Sequence, residues 1–298
     1  KRHEASAHIA GLAKKPSLAV PIATGVIILS AVGGALWFAN RGGAEGAVTY
    51  AISSPDAKNL SSAVGIRGDV TLSDQGKVTL GSESKVTVPP TYGEKFRAVK
   101  LTGSATFTVA PDKKKPFEVR AGNTSIVATG TVFSVRAFPE DEVVTVKVKE
   151  GSVTVKVVGG NDPPRPLAAG ASLAIGKDGS IKEPTADAVA EALGWTDGKM
   201  VFVNRPLREV LPQLKRWYDF SALIRDSTIL GRPITMTAGI ESKKDAIAAL
   251  EEAANLKYGY EGQQPVLRDA GGGGAKPAAK PAAKPVAKAA AKVPAKKK

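Results

Sequence analysis

Hydrophobic positions follow three regimes along the chain. Leu18 to Phe38 is a run of twenty-one residues without a charge. A helix of that length spans about 31 Å at ~1.5 Å per residue, which matches a ~30 Å hydrocarbon core. In lipid each backbone amide must bond within its own segment, so the run predicts a transmembrane helix with Trp37 at one interface. A cleaved signal peptide would have an apolar region of about 7–15 residues ending in a small-x-small site. This run is longer and ends in Leu-Trp-Phe.

From Val48 to Gly176 the period is two. Ile66, Gly68, Val70 and Leu72 alternate with Arg67, Asp69 and Thr71. The same holds around Val86 and Val88, Ala105 to Val109, Phe133 to Ala137, Val144 to Val148, and Val153 to Val157. Alternation with β-branched residues predicts half-buried strands. Turn signals divide them at Asp74-Gln-Gly76, Pro89-Pro90, Pro111-Asp112, Gly122-Asn123, Pro139-Glu-Asp141 and Glu150-Gly151. No segment in this stretch shows helical periodicity. The expectation is an all-β domain of short rungs, either a sandwich or a β-solenoid-like stack.

The third regime begins near Lys199. Met200 to Val203 reads as a strand, and Asn204 reads as a helix cap with Pro206 in the first turn. Leu207, Val210, Leu211, Leu214 and Trp217 then share one helix face, with a kink expected at Pro212. Strands follow at 221–225 and 232–238. Ser242 and Asp245 resemble a capping box, and Ala246, Ile247, Leu250 and Ala254 line a second helix. Tyr258 and Tyr260 begin a last strand. The order predicts a βαβ-βαβ module of α/β type. The expected organisation is a short cytoplasmic segment (1–17), a transmembrane helix (18–38), a juxtamembrane linker (39–63), a β domain (64–176), a connector with a possible short helix (177–198), the α/β module (199–269) and a disordered tail (270–298).

Charge changes this picture in two places. Residues 1–17 carry four bases and one acid, whereas Arg41 and Glu45 cancel beyond the apolar run. The positive-inside rule therefore predicts a single-pass membrane protein with a cytoplasmic N-terminus and everything after Arg41 outside the cytoplasm. Residues 271–298 carry eight lysines and no acid. Without an aromatic residue and with recurrent Pro, this tail cannot form a core. Residues 41–270 carry thirty bases against twenty-seven acids, so the folded part offers no nucleic-acid-binding charge.

Candidate chemistry is sparse. The chain has no cysteine, and its two histidines, His3 and His8, precede the apolar run. Disulfides, thiolate sites and a histidine-based metal site after that run are excluded, and no metal or cofactor is expected. No phosphate-loop, dinucleotide or nucleophile-elbow motif occurs. Neighbouring acids (Asp141 and Glu142 in a turn, Glu251 and Glu252 on a helix) read as solvated charge. One dipeptide, Gly130-Thr131, could act on its own chain. A hydroxyl directly after glycine can attack the preceding carbonyl if the peptide is strained, although a turn or bulge glycine before a strand threonine is the simpler reading of the pair. No other catalytic residue is expected.

From Arg97 to Val155 the sequence resembles the FecR family of single-pass envelope sensors and anti-sigma regulators. Three segments carry the resemblance: Arg97-Ala-Val-Lys-Leu-Thr-Gly-Ser-Ala-Thr-Phe, Thr129-Gly-Thr-Val-Phe-Ser-Val-Arg and Val146-Lys-Val-Lys-Glu-Gly-Ser-Val. Gly198-Lys-Met-Val-Phe-Val-Asn-Arg-Pro-Leu and Leu214-Lys-Arg-Trp-Tyr are similar to the C-terminal module of that family, itself like the short signalling domain of secretins and TonB-dependent receptors. The resemblance implies transcription regulation through an extracytoplasmic-function sigma factor, driven by the signalling domain of an outer-membrane TonB-dependent transporter. It implies splitting at Gly130-Thr131 in some members. Partner binding is expected at Phe202, Leu207, Val210, Leu211, Leu214, Trp217 and Tyr218. The family's sigma-binding domain has tens of residues, whereas seventeen precede Leu18, so a sigma-factor partner calls for a segment before Lys1. The alternative function is a non-catalytic envelope tether whose basic tail holds an anionic envelope polymer.

Overall fold

The structure is a computed structural model that describes residues 44–94 and 96–271. The expected helix at 18–38, the segment before it and the lysine tail lie outside the described residues. Among the described residues no helix is long and apolar enough to cross a membrane.

A short helix, α1 (Ala44–Ile52), precedes thirteen strands. The first four are β1 (Lys58–Ser61), β2 (Gly68–Thr71), β3 (Lys77–Leu80) and β4 (Lys85–Val88). Then come β5 (Arg97–Thr108), β6 (Phe117–Ala121), β7 (Thr124–Ala128), β8 (Val132–Ala137) and β9 (Val143–Glu150). The last are β10 (Ser152–Val157), β11 (Arg165–Ala168), β12 (Ser172–Gly176) and β13 (Ile181–Lys182).

The longest strand, β5, belongs to two sheets. Its first half pairs with β4 and, in parallel, with β6; its second half pairs antiparallel with β3 and β8. The first sheet therefore runs β1-β4-β5-β6-β7-β10-β11 and the second β2-β3-β5-β8-β9-β12-β13. Parallel neighbours need a long crossover. Here the second half of β5, together with the loop to Pro116, supplies it by passing through the opposite sheet. Val99, Leu101, Val119, Ile126 and Val153 from one sheet meet Phe107, Phe133, Val135 and Val146 from the other in a single core. Phe107 and Phe133 stack with centroids 5.2 Å apart. Of the two expected all-β architectures, this is the sandwich.

The bend between sheets falls at Gly103, whose φ is +108°. A Cβ there would lie 2.5 Å from Ser84 Oγ, so both the dihedral and the contact require glycine. Beyond the sandwich, α2 (Ala186–Leu193) is capped by Thr185, whose hydroxyl accepts from the Ala188 amide, and a 3-10 turn (Gly194–Asp197) follows.

The C-terminal module has β14 (Lys199–Pro206), α3 (Leu207–Tyr218), β15 (Leu223–Ile224), β16 (Pro233–Gly239), α4 (Lys243–Ala254), β17 (Leu256–Glu261) and β18 (Gln264–Asp269). The element order is βαβ then βαβ as expected, but the two strands flanking each helix do not pair with each other. β14 pairs antiparallel with β16, while β15, β18 and β17 form a separate three-stranded sheet. Helix α4 touches both sheets, through β16 and β17, whereas α3 lies against β14 and β16.

Three further expectations are corrected. The linker before residue 64 holds α1, which among its described side chains buries only Val48 and Ile52, too few positions to register as helical period. Asn204 does not cap α3. It takes φ +54° at an irregularity in β14, because Arg205 and Pro206 are drawn into pairing with Ile234 and Pro233. Asp141 is not solvated; Arg136 holds it through two 2.9 Å bonds. α3 itself runs unbroken through Pro212. Ser242 does cap α4, its Oγ accepting from the Asp245 amide.

Candidate functional site: the C-terminal module and its clasp on the sandwich

Helix α3 forms because its apolar residues recur at helical spacing, and the structure shows where that stripe goes. Phe202, Leu207, Val210, Leu214, Trp217 and Tyr218 are all buried in the module's core, with Ile234, Met236, Leu250 and Leu256. Leu211 is half-buried beside them. The seven residues singled out from the sequence are thus brought together, but six hold the module's own sheets on its helices rather than presenting an open face. Burial raises the Tyr218 phenol to about 12, and its hydroxyl donates to the Gly239 carbonyl at 2.8 Å.

The module's strand edges are partly plugged. The outward Val203 amide of β14 donates to Glu191 Oε1 at 2.7 Å, and the Tyr258 amide of β17 donates to Glu251 Oε1 at 2.8 Å. Carboxylates from neighbouring helices thereby satisfy amides that an added strand would otherwise use. Past Tyr258, β17 carries Tyr260, 64% exposed, at the outer edge of its sheet. The Tyr258 hydroxyl donates to that of Tyr260 at 3.3 Å; this bond, then burial, holds the Tyr258 phenol up at about 12.

Sequence reasoning passed over the residue that joins the two bodies. Arg216 sits on α3 between core residues and points the other way, into the sandwich. Its Nε donates to Glu83 at 2.9 Å and its Nη2 to Glu140 at 2.5 Å. Its guanidinium lies 3.7 Å from the centroid of the Phe138 ring. Its backbone carbonyl accepts from the Gly65 amide at 2.9 Å and from Ser82 Oγ at 2.5 Å. Burial pushes the Glu140 carboxyl up, but its backbone amide and Arg216 outweigh that and leave it below the usual glutamate range. A second contact comes from the 3-10 turn, where Trp195 Nε1 donates to Ser104 Oγ at 2.7 Å and the ring tilts against Trp217 at 5.7 Å. Arg67 of the sandwich also pairs with Glu241 of the module. The one clue in the sequence is an arginine beside Trp217 in an apolar stripe.

Gly130 and Thr131 lie between β7 and β8. Gly130 has φ +140°, and a Cβ there would press on Pro111 Cα at 3.1 Å. Thr131 is buried, and its Oγ1 donates to the Ser152 carbonyl at 2.9 Å. The hydroxyl proton therefore has a backbone acceptor, and the left-handed glycine is the feature compatible with attack on its own carbonyl. Among the described residues no group of three His, Cys, Asp or Glu side chains is placed to hold a metal.

These two bodies coincide with two family matches. The model of the FecR protein matches residues 58–154, and that of the FecR C-terminal region matches residues 199–266. The chain belongs to the FecR family. Two crystal structures, each of a candidate anti-sigma factor from Parabacteroides distasonis, are similar to this FecR chain at 25% identity and a TM-score of 0.59. One, at 2.50 Å, is matched over 72% of this chain and 99% of its own; the other, at 1.65 Å, over 71% and 99%. No curated protein matches the chain. FecR membership places it among regulators of signal transduction.

Proposed function

We propose that this FecR protein relays an external signal across the inner membrane to a cytoplasmic sigma factor. In this reading residues 18–38 anchor the chain, the N-terminus is cytoplasmic, and the sandwich and module lie in the periplasm. The signalling domain of an outer-membrane TonB-dependent transporter docks on the module. With the α3 stripe in the core, docking falls to the outer edge of β17 around Tyr260, by strand addition or side-chain packing. The observation that carries the reading is that both family-matched regions fold as bodies clasped by Arg216, which gives a module-bound partner a mechanical connection to the rest of the chain.

A sigma-dependent reporter in cells with and without the full chain tests this, together with capture of a purified transporter signalling domain by that chain in detergent. Reporter output that ignores deletion, with no capture, sinks it. Self-cleavage at Gly130-Thr131 is part of the same proposal, supported by the left-handed glycine. The intact mass of the chain beside Thr131→Val decides it: a split parent and a whole variant carry the step, and a whole parent removes it.

The eight lysines of residues 271–298 favour a second reading, an envelope tether on an anionic polymer. Deleting that tail would then release the protein from the envelope without changing reporter output.

A further inference from the structure

The attachments at either end of the sandwich converge on one point of β5. Trp195 of the 3-10 turn bonds Ser104, the residue directly after Gly103. Ser84, which packs where a Gly103 Cβ would be, accepts the Ser104 amide through its Oγ at 2.9 Å. Ser82 and Glu83, on the same short loop, hold Arg216. On the opposite side of the bend α1 lies against β5. Ile52 at the end of α1 shares a cleft of about 270 Å³ with Lys100 and Thr102, the residues leading into Gly103. α1 begins six residues after Phe38, the end of the apolar run.

We infer that the Gly103 bend of β5 is a coupling joint, through which the seating of the C-terminal module controls the stability of α1. At the bend the module's clasp, the 82–84 loop and the strand under α1 meet. Gly103 is the residue whose left-handed φ lets one strand turn from one sheet into the other. If Arg216 and Trp195 hold the loop and Ser104, the first half of β5 stays in register under α1; if they release, that half and α1 loosen together. The coupling gives the proposed relay a route, yet it is a property of the chain alone and needs no partner to be seen.

Hydrogen exchange on the full chain in detergent tests it. Arg216→Ala should speed amide exchange in α1 and in residues 97–102 by roughly tenfold, while β9 and β12 keep their protection. Arg67→Ala, which removes an exposed pair outside this route, should leave α1 as it was. If Arg216→Ala exposes the module and the 82–84 loop but α1 exchanges as in the parent, the joint is refuted. If Arg216→Ala unfolds the sandwich as well, Trp195→Phe decides: it removes the indole N–H that bonds Ser104 and keeps a ring beside Trp217 and the Arg216 clasp, and α1 must still exchange faster. A failed sigma-factor reporter with intact coupling would sink the relay and leave this inference standing.

Discussion

Trp195 donates its indole hydrogen to Ser104 Oγ across 2.7 Å, joining the module to the sandwich through a contact 91 positions apart in the chain. Both partners are buried, so neither group can turn to water instead. Trp195→Phe should cost about 2 kcal/mol, the net worth of such a bond together with the packing of the lost part of the indole, and Trp195→Ala about 3–5 kcal/mol through the cavity. Urea unfolding of the purified chain measures both. A costless Phe variant would mean that packing alone holds the module, and equal costs that the bond alone does.

Gly103→Ala should be among the most damaging single-methyl additions in the protein. The new Cβ meets Ser84 Oγ at 2.5 Å and Cα at 2.8 Å, on a backbone at φ +108°. Strain and overpacking together predict a loss of about 3 kcal/mol. Pairing it with Ser84→Gly should restore part of that loss by removing the Oγ and Cβ clashes, and the part left over reports the dihedral, the close Ser84 Cα and the lost bond to the Ser104 amide together.

Asp74 is a pin for the loops at the start of β5. It takes the Arg97 Nε hydrogen at 2.6 Å and the Tyr92 hydroxyl at 2.9 Å, while Arg97 also reaches the carbonyls of Lys115 and Ala110. Asp74→Ala strands a buried guanidinium and should cost about 3–5 kcal/mol. Asp74→Asn keeps an acceptor for Tyr92 and should cost less. Thermal melts followed by circular dichroism rank the two.

The clasp should weaken in acid. The Glu140 carboxyl sits below its ordinary value of 4.5, so the stability it lends is complete above that value and is lost as pH falls through the lower, folded one. Near-ultraviolet dichroism of Trp195 and Trp217 should therefore change below about pH 4.5, before the sandwich unfolds. Glu140→Gln should flatten that step. An unchanged step would assign it to another carboxylate.

The parts of the fold that could be read from the sequence are those with one wet face. Val70 and Leu72 alternate visibly because Asp69 and Thr71 between them are exposed. β7, Thr124-Ser-Ile-Val-Ala128, is buried on both faces and shows no alternation to read, while β6 alternates in sequence although its Glu118 and Arg120 are buried too. The α3 stripe was legible as a helix face, but periodicity says only that a face is apolar, not what it meets; here it meets its own sheets. Arg216 was illegible for a related reason. Its partners, Glu83 and Glu140, lie 133 and 76 positions away in loops, and nothing local marks a charge destined for burial.

The shared strand has a consequence for any break in the backbone at residues 130–131. Residues up to Gly130 would retain β1 to β7, and those from Thr131 would retain β8 to β13. Yet β8 is laced to β5, and β10 to β7, so each sheet draws strands from both pieces. A severed molecule would stay interleaved, and parting its fragments would demand pulling the whole sandwich undone.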